Sequence, residues 1–114
     1  MESPDALAVL AALAQESRLA VYRELVAREP DGAHPHELAE AFGLAPATLS
    51  FHLKALQHAG LVHARRSGRN LLYRADIEAS RRLVDFLTRH CCGGDPARCL
   101  PQAPARGARR AARG

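Results

Sequence analysis

Residues 35–60 read PHELAEAFGLAPATLSFHLKALQHAG, and this stretch decides the fold. Leu38, Ala41 and Phe42 recur at helical spacing and are expected to form the buried stripe of a helix opening at Pro35. Gly43 readily takes the left-handed conformation that ends helices. A second helix is expected from Pro46 to Gly60, with Leu49, Leu53 and Leu56 at i, i+4 and i+7 as its buried face. Only Gly43, Leu44 and Ala45 separate the two. That spacing is a helix-turn-helix.

The flanking sequence extends the pattern. Downstream, the period changes, and residues 61–66 and 70–75 read as two short strands around Ser67, Gly68 and Arg69, a hairpin with a basic tip. A last helix is expected to begin at its cap, Asp76, and to run to Arg89, with Ile77, Leu83, Val84, Phe86 and Leu87 apolar. Upstream, a first helix is expected from Ser3, with Pro4 at the first helical position, to about Ala14. Leu7, Leu10, Ala11 and Ala14 share one of its faces. A second helix should follow Ser17, using Leu19, Val21, Tyr22, Leu25 and Val26, and end near Arg28 before Pro30. The chain is thus expected to be mainly α with one small β-hairpin, a winged helix-turn-helix. Residues 1–92 would form the domain. Residues 93–114 would form a flexible tail holding a cysteine and, from about Pro101, a disordered run of Pro, Ala, Gly and Arg.

Charge is segregated along the chain. Of 114 residues with net charge +4, residues 1–44 carry eight acids and three bases. Residues 45–75 carry Lys54, Arg65, Arg66, Arg69 and Arg74 and no acid. Such a stretch suits a phosphate-facing surface, or alternatively a solvated basic face. The apolar run 6–14 follows Glu2 and Asp5 rather than basic residues and is too short to span a bilayer. A cytoplasmic protein with no membrane partner is expected. In that reducing compartment three cysteines point to a metal, metalloid or redox site rather than a structural disulfide.

Stepping 100° per residue from Leu53 leaves Ala47, Thr48, Phe51, Lys54, Ala55 and His58 on the outer face, with Ser50 and His52 on the flanks. A helix with this face can enter a major groove of double-stranded DNA. Thr48, Ser50 and His52 would contact bases or phosphates. Phe51 would press on a thymine methyl or tuck against the preceding helix. Arg65, Arg66 and Arg69 would reach the backbone or minor groove from the hairpin.

Residues 47–76, ATLSFHLKALQHAGLVHARRSGRNLLYRAD, resemble the recognition helix and wing of the ArsR/SmtB family of bacterial winged-helix repressors. Residues 13–19, LAQESRL, resemble that family's junction between its first two helices. The resemblance covers roughly residues 5–90. It implies a homodimer built by the first and last helices, bound to a partly palindromic operator and released by a ligand. Leu7, Leu10, Leu83, Phe86 and Leu87 would then form the dimer interface.

Members of the family sense ligands at different places. A cysteine pair on the third helix is absent here, where residues 35–40 read PHELAE. A carboxylate and histidine set on the last helix also fails, because Asp85 is followed by Phe86 and Leu87. What remains is HCCGGDPARC, residues 90–99, which resembles the C-terminal three-cysteine site of an arsenic-responsive subgroup. Trivalent arsenic is soft and takes three thiolates in a pyramid. Gly93 and Gly94 would let Cys99 fold back on Cys91 and Cys92 at the end of the last helix. Arg89, His90 and Arg98 would offset the unfavourable field of a helix C-terminus. The inducer expected is therefore arsenic(III), as arsenite, methylarsenite or antimonite as its analogue. Zinc, with His90 as a fourth ligand, and a redox switch joining Cys99 to either neighbour are alternatives on the same residues. Incidental surface thiols are the plain alternative. Catalysis is not expected, since no phosphate loop or orienting third group accompanies the cysteines.

Overall fold

The computed structural model describes residues 1–99. Five helices and one hairpin follow in order: α1 (Ser3–Leu13), α2 (Glu16–Ala27), α3 (Pro35–Phe42), α4 (Pro46–His58), β1 (Val62–Ser67), β2 (Asn70–Ala75) and α5 (Ile77–Thr88). After α5 the chain reverses over Cys91–Gly94 and makes one short 3-10 turn, Pro96–Arg98. The expected Arg-rich run from about Pro101 lies outside the described residues.

The helix boundaries follow local chemistry. α1 is capped by Glu2 rather than Ser3, because Glu2 and Asp5 form a reciprocal capping box, with the Glu2 N–H donating to Asp5 Oδ2 at 3.3 Å. α2 begins before Ser17, because Gln15 Oε1 accepts from the Arg18 N–H at 2.8 Å and caps the helix at Glu16. α3 ends where expected, on Gly43 with φ of 62°. Asp76 caps α5 by accepting from the Ala79 N–H at 3.2 Å.

The core is built from Leu, Val and Ala with one tyrosine at each of two joints. Leu49, Leu53 and Leu56 of α4 are all buried, against Val21 and Leu25 of α2 and Leu38 of α3. Each such side chain contributes about 1.5–3 kcal/mol by leaving water. Ala41, expected in the α3 stripe, is exposed; Ala39 and Phe42 pack against the core instead. α1 turns Ala6, Val9 and Ala12 inward, so Leu7 stays 66% exposed and Leu10 41%. On α5, Ala79 and Leu83 are buried while Val84 and Leu87 are exposed. The Tyr22 hydroxyl donates to the Asp76 carbonyl at 3.2 Å and pairs with Ser80 Oγ, tying α2 to the start of α5.

β1 and β2 pair antiparallel from Val62 opposite Ala75 to Ser67 opposite Asn70. The turn between them is therefore only Gly68 and Arg69. Gly68 alone of the two has positive φ, 65°, the φ pattern of a II′ hairpin turn. The hairpin gains a third pairing that sequence patterning does not reveal. Ala33, between α2 and α3, exchanges backbone hydrogen bonds with Tyr73 at 2.9 and 3.0 Å. Gly32 makes this approach feasible: a Cβ there would stand 2.5 Å from the Tyr73 carbonyl oxygen.

Candidate nucleic-acid interface and thiol site

α4 presents its outer face as its periodicity requires. Thr48, Ser50, Phe51 and Lys54 are all exposed, and Phe51 is 64% exposed rather than tucked against α3. His52 departs from its expected place on the flank. It is 8% exposed, and its Nδ1 accepts a hydrogen bond from Arg18 Nε at 3.1 Å. Accepting there requires an unprotonated Nδ1, so the neutral ring carries its hydrogen on Nε2. Burial, and then the adjacent Arg18 guanidinium, push His52 below the ordinary histidine range. The residue serves α4 from below and does not offer Nδ1 to DNA.

Arg18 lies within the acidic residues 1–44, far in sequence from the basic stretch. The fold carries it from α2 to the edge of α4, where its guanidinium carbon lies 5.5 Å from the Phe51 ring centroid.

The hairpin places Arg65, Arg66 and Arg69 in solvent at or beside its tip. Its second strand is held by three ties. Besides the Ala33 pairing, His34 Nδ1 lies 2.8 Å from the Leu71 carbonyl oxygen, and Arg74 binds Glu29 with contacts of 2.6 and 3.4 Å. The Arg74 hydrogen bond holds Glu29 below the usual carboxylate range, with burial opposing it. Together α4 and the hairpin form an exposed basic surface carrying hydrogen-bond donors, a form suited to nucleic acid.

The second site lies beyond α5. The chain does not continue helically into the cysteines. His90 takes φ of 65° and Cys92 φ of 56°, so the reversal starts at these residues and is completed by Gly93 and Gly94. A left-handed conformation costs a residue with a side chain about 1–2 kcal/mol. Asp95 then caps the next turn, its Oδ1 accepting from the Ala97 N–H at 3.0 Å. This path brings the Sγ atoms of Cys91, Cys92 and Cys99 within 4.8 Å of one another. Cys91 and Cys99 are exposed and Cys92 is half-buried. His90 falls outside that cluster, which holds three sulfurs and no fourth donor among the described residues. Arg89 is engaged elsewhere: it pairs with Asp85 at 3.4 Å, and its guanidinium carbon lies 5.5 Å from the Phe86 ring centroid.

Comparison with known proteins agrees with this geometry. A helix-turn-helix domain model matches residues 13–65. An uncharacterized HTH-type transcriptional regulator of Bacillus subtilis (strain 168), YbzH, is 33% identical over 97 residues, covering 73% of this chain and 95% of its own. The solved ArsR-like transcriptional regulator from Rhodococcus sp. RHA1 superposes with a TM-score of 0.69 at 29% identity, covering 81% of this chain and 84% of that one. Mb0332 from Mycobacterium bovis, described as a homodimeric winged helix-turn-helix DNA-binding domain and a possible ArsR-family regulator, has a TM-score of 0.63 and 27% identity. That likeness covers 82% of this chain and 86% of the other.

Proposed function

Since the chain belongs to the ArsR family of winged helix-turn-helix transcriptional regulators, we propose that it is a homodimeric repressor released from its operator by a trivalent arsenical held on Cys91, Cys92 and Cys99. The observation that carries this reading is the cluster of three sulfurs within 4.8 Å of one another, with no histidine or carboxylate ligand atom inside that cluster among the described residues. A soft, three-coordinate ion with a lone pair fits that donor set. A structural zinc site uses four ligands, and His90, though it lines the same hollow as Cys91 and Cys99, lies outside the sulfur cluster. Arsenite, methylarsenite and antimonite share the required thiophilic chemistry.

Thr48, Ser50, Phe51 and Lys54 on α4 would meet the major groove, and Arg65, Arg66 and Arg69 on the hairpin would meet phosphates. Dimerisation would use the exposed faces of α1 and α5, through Leu7, Leu10 and Leu87 with Phe86 beside them. Leu83 already belongs to the protomer core and would support the interface from behind. α5 would link the cysteines to the dimer face, since it packs on α1 and ends at Thr88, just before the cysteines. A ligand that favours one end geometry of α5 would shift the spacing of the two DNA-reading units. Release needs the ligand to prefer the free dimer over the bound one by about 5–150-fold, a coupling of roughly 1–3 kcal/mol.

The test is an anisotropy titration of a duplex selected by the protein from a random pool, with arsenite, methylarsenite, antimonite, zinc and a thiol oxidant in parallel. Release by the arsenicals, lost in Cys99→Ser with DNA affinity retained, is the expected result. Release by zinc or by oxidant alone would replace arsenic with that agent. Unaltered release in Cys99→Ser would remove Cys99 from the site.

A further inference from the structure

We infer that Arg18 is a DNA-phosphate contact of the recognition surface, aimed by His52 and Phe51; this rests on the DNA-binding reading of α4. Arg18 is held at three points, one on its backbone and two on its guanidinium. The Arg18 backbone N–H is fixed by Gln15 Oε1 at 2.8 Å in the first turn of α2. Its Nε donates to His52 Nδ1 at 3.1 Å. Its plane lies beside the Phe51 ring, whose π face favours a cation. These contacts occupy Nε alone among the side chain's nitrogens. Among the described residues Arg18 forms no ion pair with any carboxylate, and its two terminal nitrogens have no hydrogen-bond partner.

Among the helical arginines of the described residues, Arg18 alone combines a held guanidinium with the lack of an anion; Arg23 and Arg82 form no ion pair either, but no hydrogen bond or aromatic ring holds their side chains. Arg28 is paired with Glu24, Arg81 with Glu78 and Arg89 with Asp85. The terminal nitrogens of a guanidinium form a planar fork that matches two phosphate oxygens. The fork stands at the flank of α4, the element whose outer face would lie in the groove, where the DNA backbone passes. Because Nε is already bound, the rotamer entropy that an arginine normally loses on meeting phosphate is largely lost before binding. His52 is then a positioning residue: it is buried, and it reaches DNA only through Arg18.

The experiment uses the full chain and a random-sequence DNA duplex, with affinity measured by anisotropy across a salt series. Arg18→Ala is expected to weaken binding about tenfold at physiological salt and to lower the salt slope by about one. Arg18→Lys keeps the charge but not the fork, so it should retain the slope with weaker affinity. His52→Gln, which keeps an acceptor, should bind better than His52→Leu. The two His52 variants should bind equally once Arg18 is alanine, a coupling that simple loss of packing would not produce. Thermal melting of each variant accompanies these measurements, and if Arg18→Ala does not fold, the Arg18→Lys and His52 pairs carry the comparison. Wild-type affinity and slope in Arg18→Ala, alongside a lowered slope in Arg66→Ala, would overturn the role of Arg18. Absence of any salt-dependent duplex binding by the wild type would instead overturn the DNA-binding reading beneath it.

Discussion

Arg74 Nη2 lies 2.6 Å from Glu29 Oε1, joining the second hairpin strand to the segment that leaves α2. Arg74 counts among five bases in a stretch with no acid, yet its charge is matched by a carboxylate from the acidic part of the chain. The surface charge available to phosphates therefore differs from the linear count. Arg65, Arg66 and Arg69 remain exposed and outside every ion pair among the described residues, and Arg74 does not.

The salt dependence of duplex binding should separate these residues. Arg66→Ala and Arg69→Ala should each lower the slope of log affinity against log salt by about one, on any sequence. Arg74→Ala should leave that slope unchanged while lowering the melting temperature. A slope change in Arg74→Ala equal to that in Arg66→Ala would mean that the ion pair opens on DNA.

The same pair sets a pH dependence. Its hydrogen bond lowers the folded-state value of Glu29 beneath the ordinary 4.5. A depressed carboxylate adds stability above its unfolded value and loses that stability as pH falls through the folded one. Glu29→Gln should therefore melt lower than wild type at neutral pH. The gap should close as pH falls below about 4.5, and melting curves at stepped pH would show it. A gap that stays constant down to strongly acid pH would indicate that Glu29 acts by shape rather than by charge.

Two glycines with the same backbone sign should respond differently to alanine. Gly43 ends α3 at φ of 62° with open space where a Cβ would go. Gly43→Ala should cost about 1 kcal/mol, the conformational term alone. Gly32 has φ of 77°, and its Cβ would meet both the Tyr73 carbonyl and Arg74 Cγ, the latter at 2.8 Å. Gly32→Ala should cost more than about 2 kcal/mol, because the Ala33–Tyr73 pairing must also shift. Urea denaturation measures both, and equal losses would remove the close approach from the account.

These positions also mark how far the linear sequence could be read. The period of Leu49, Leu53 and Leu56 and the stop at Gly43 are local signals, and α4 and the turn before it were legible from them. The hairpin was legible from its turn, because the Gly68-Arg69 geometry depends on neighbouring residues alone. The Ala33–Tyr73 pairing was not, because a single paired residue has no alternation to detect. The burial of His52 was not legible, because helical angle does not report a partner, and that partner, Arg18, lies 34 positions away. The three cysteines were legible as a group through their spacing. Their reversal was only partly so, since His90 and Cys92 adopt left-handed conformations that glycine normally signals.

The exposed leucines permit a test that separates assembly from folding. Leu10 is 41% exposed and Leu87 58% exposed in the protomer, so a charge at either meets solvent when the chain is alone. If α1 and α5 form the dimer, each substitution enters a two-fold interface twice. Leu87→Glu should then weaken association by about 2–4 kcal/mol while the protomer's melting behaviour changes little. Leu83→Ala should do the reverse in part. Leu83 is buried within the protomer, so its loss should destabilise the fold itself, by roughly 2–4 kcal/mol. Sedimentation velocity over a concentration series reads the first effect and denaturation of the monomeric Leu87→Glu background reads the second. Because a monomer reaches only one half-site, Leu87→Glu should also lose most operator affinity yet keep weak, salt-sensitive binding to random duplex. A Leu87→Glu protein that sediments as a dimer would move the interface off α5, and with it the route by which ligand at the cysteines could reach DNA.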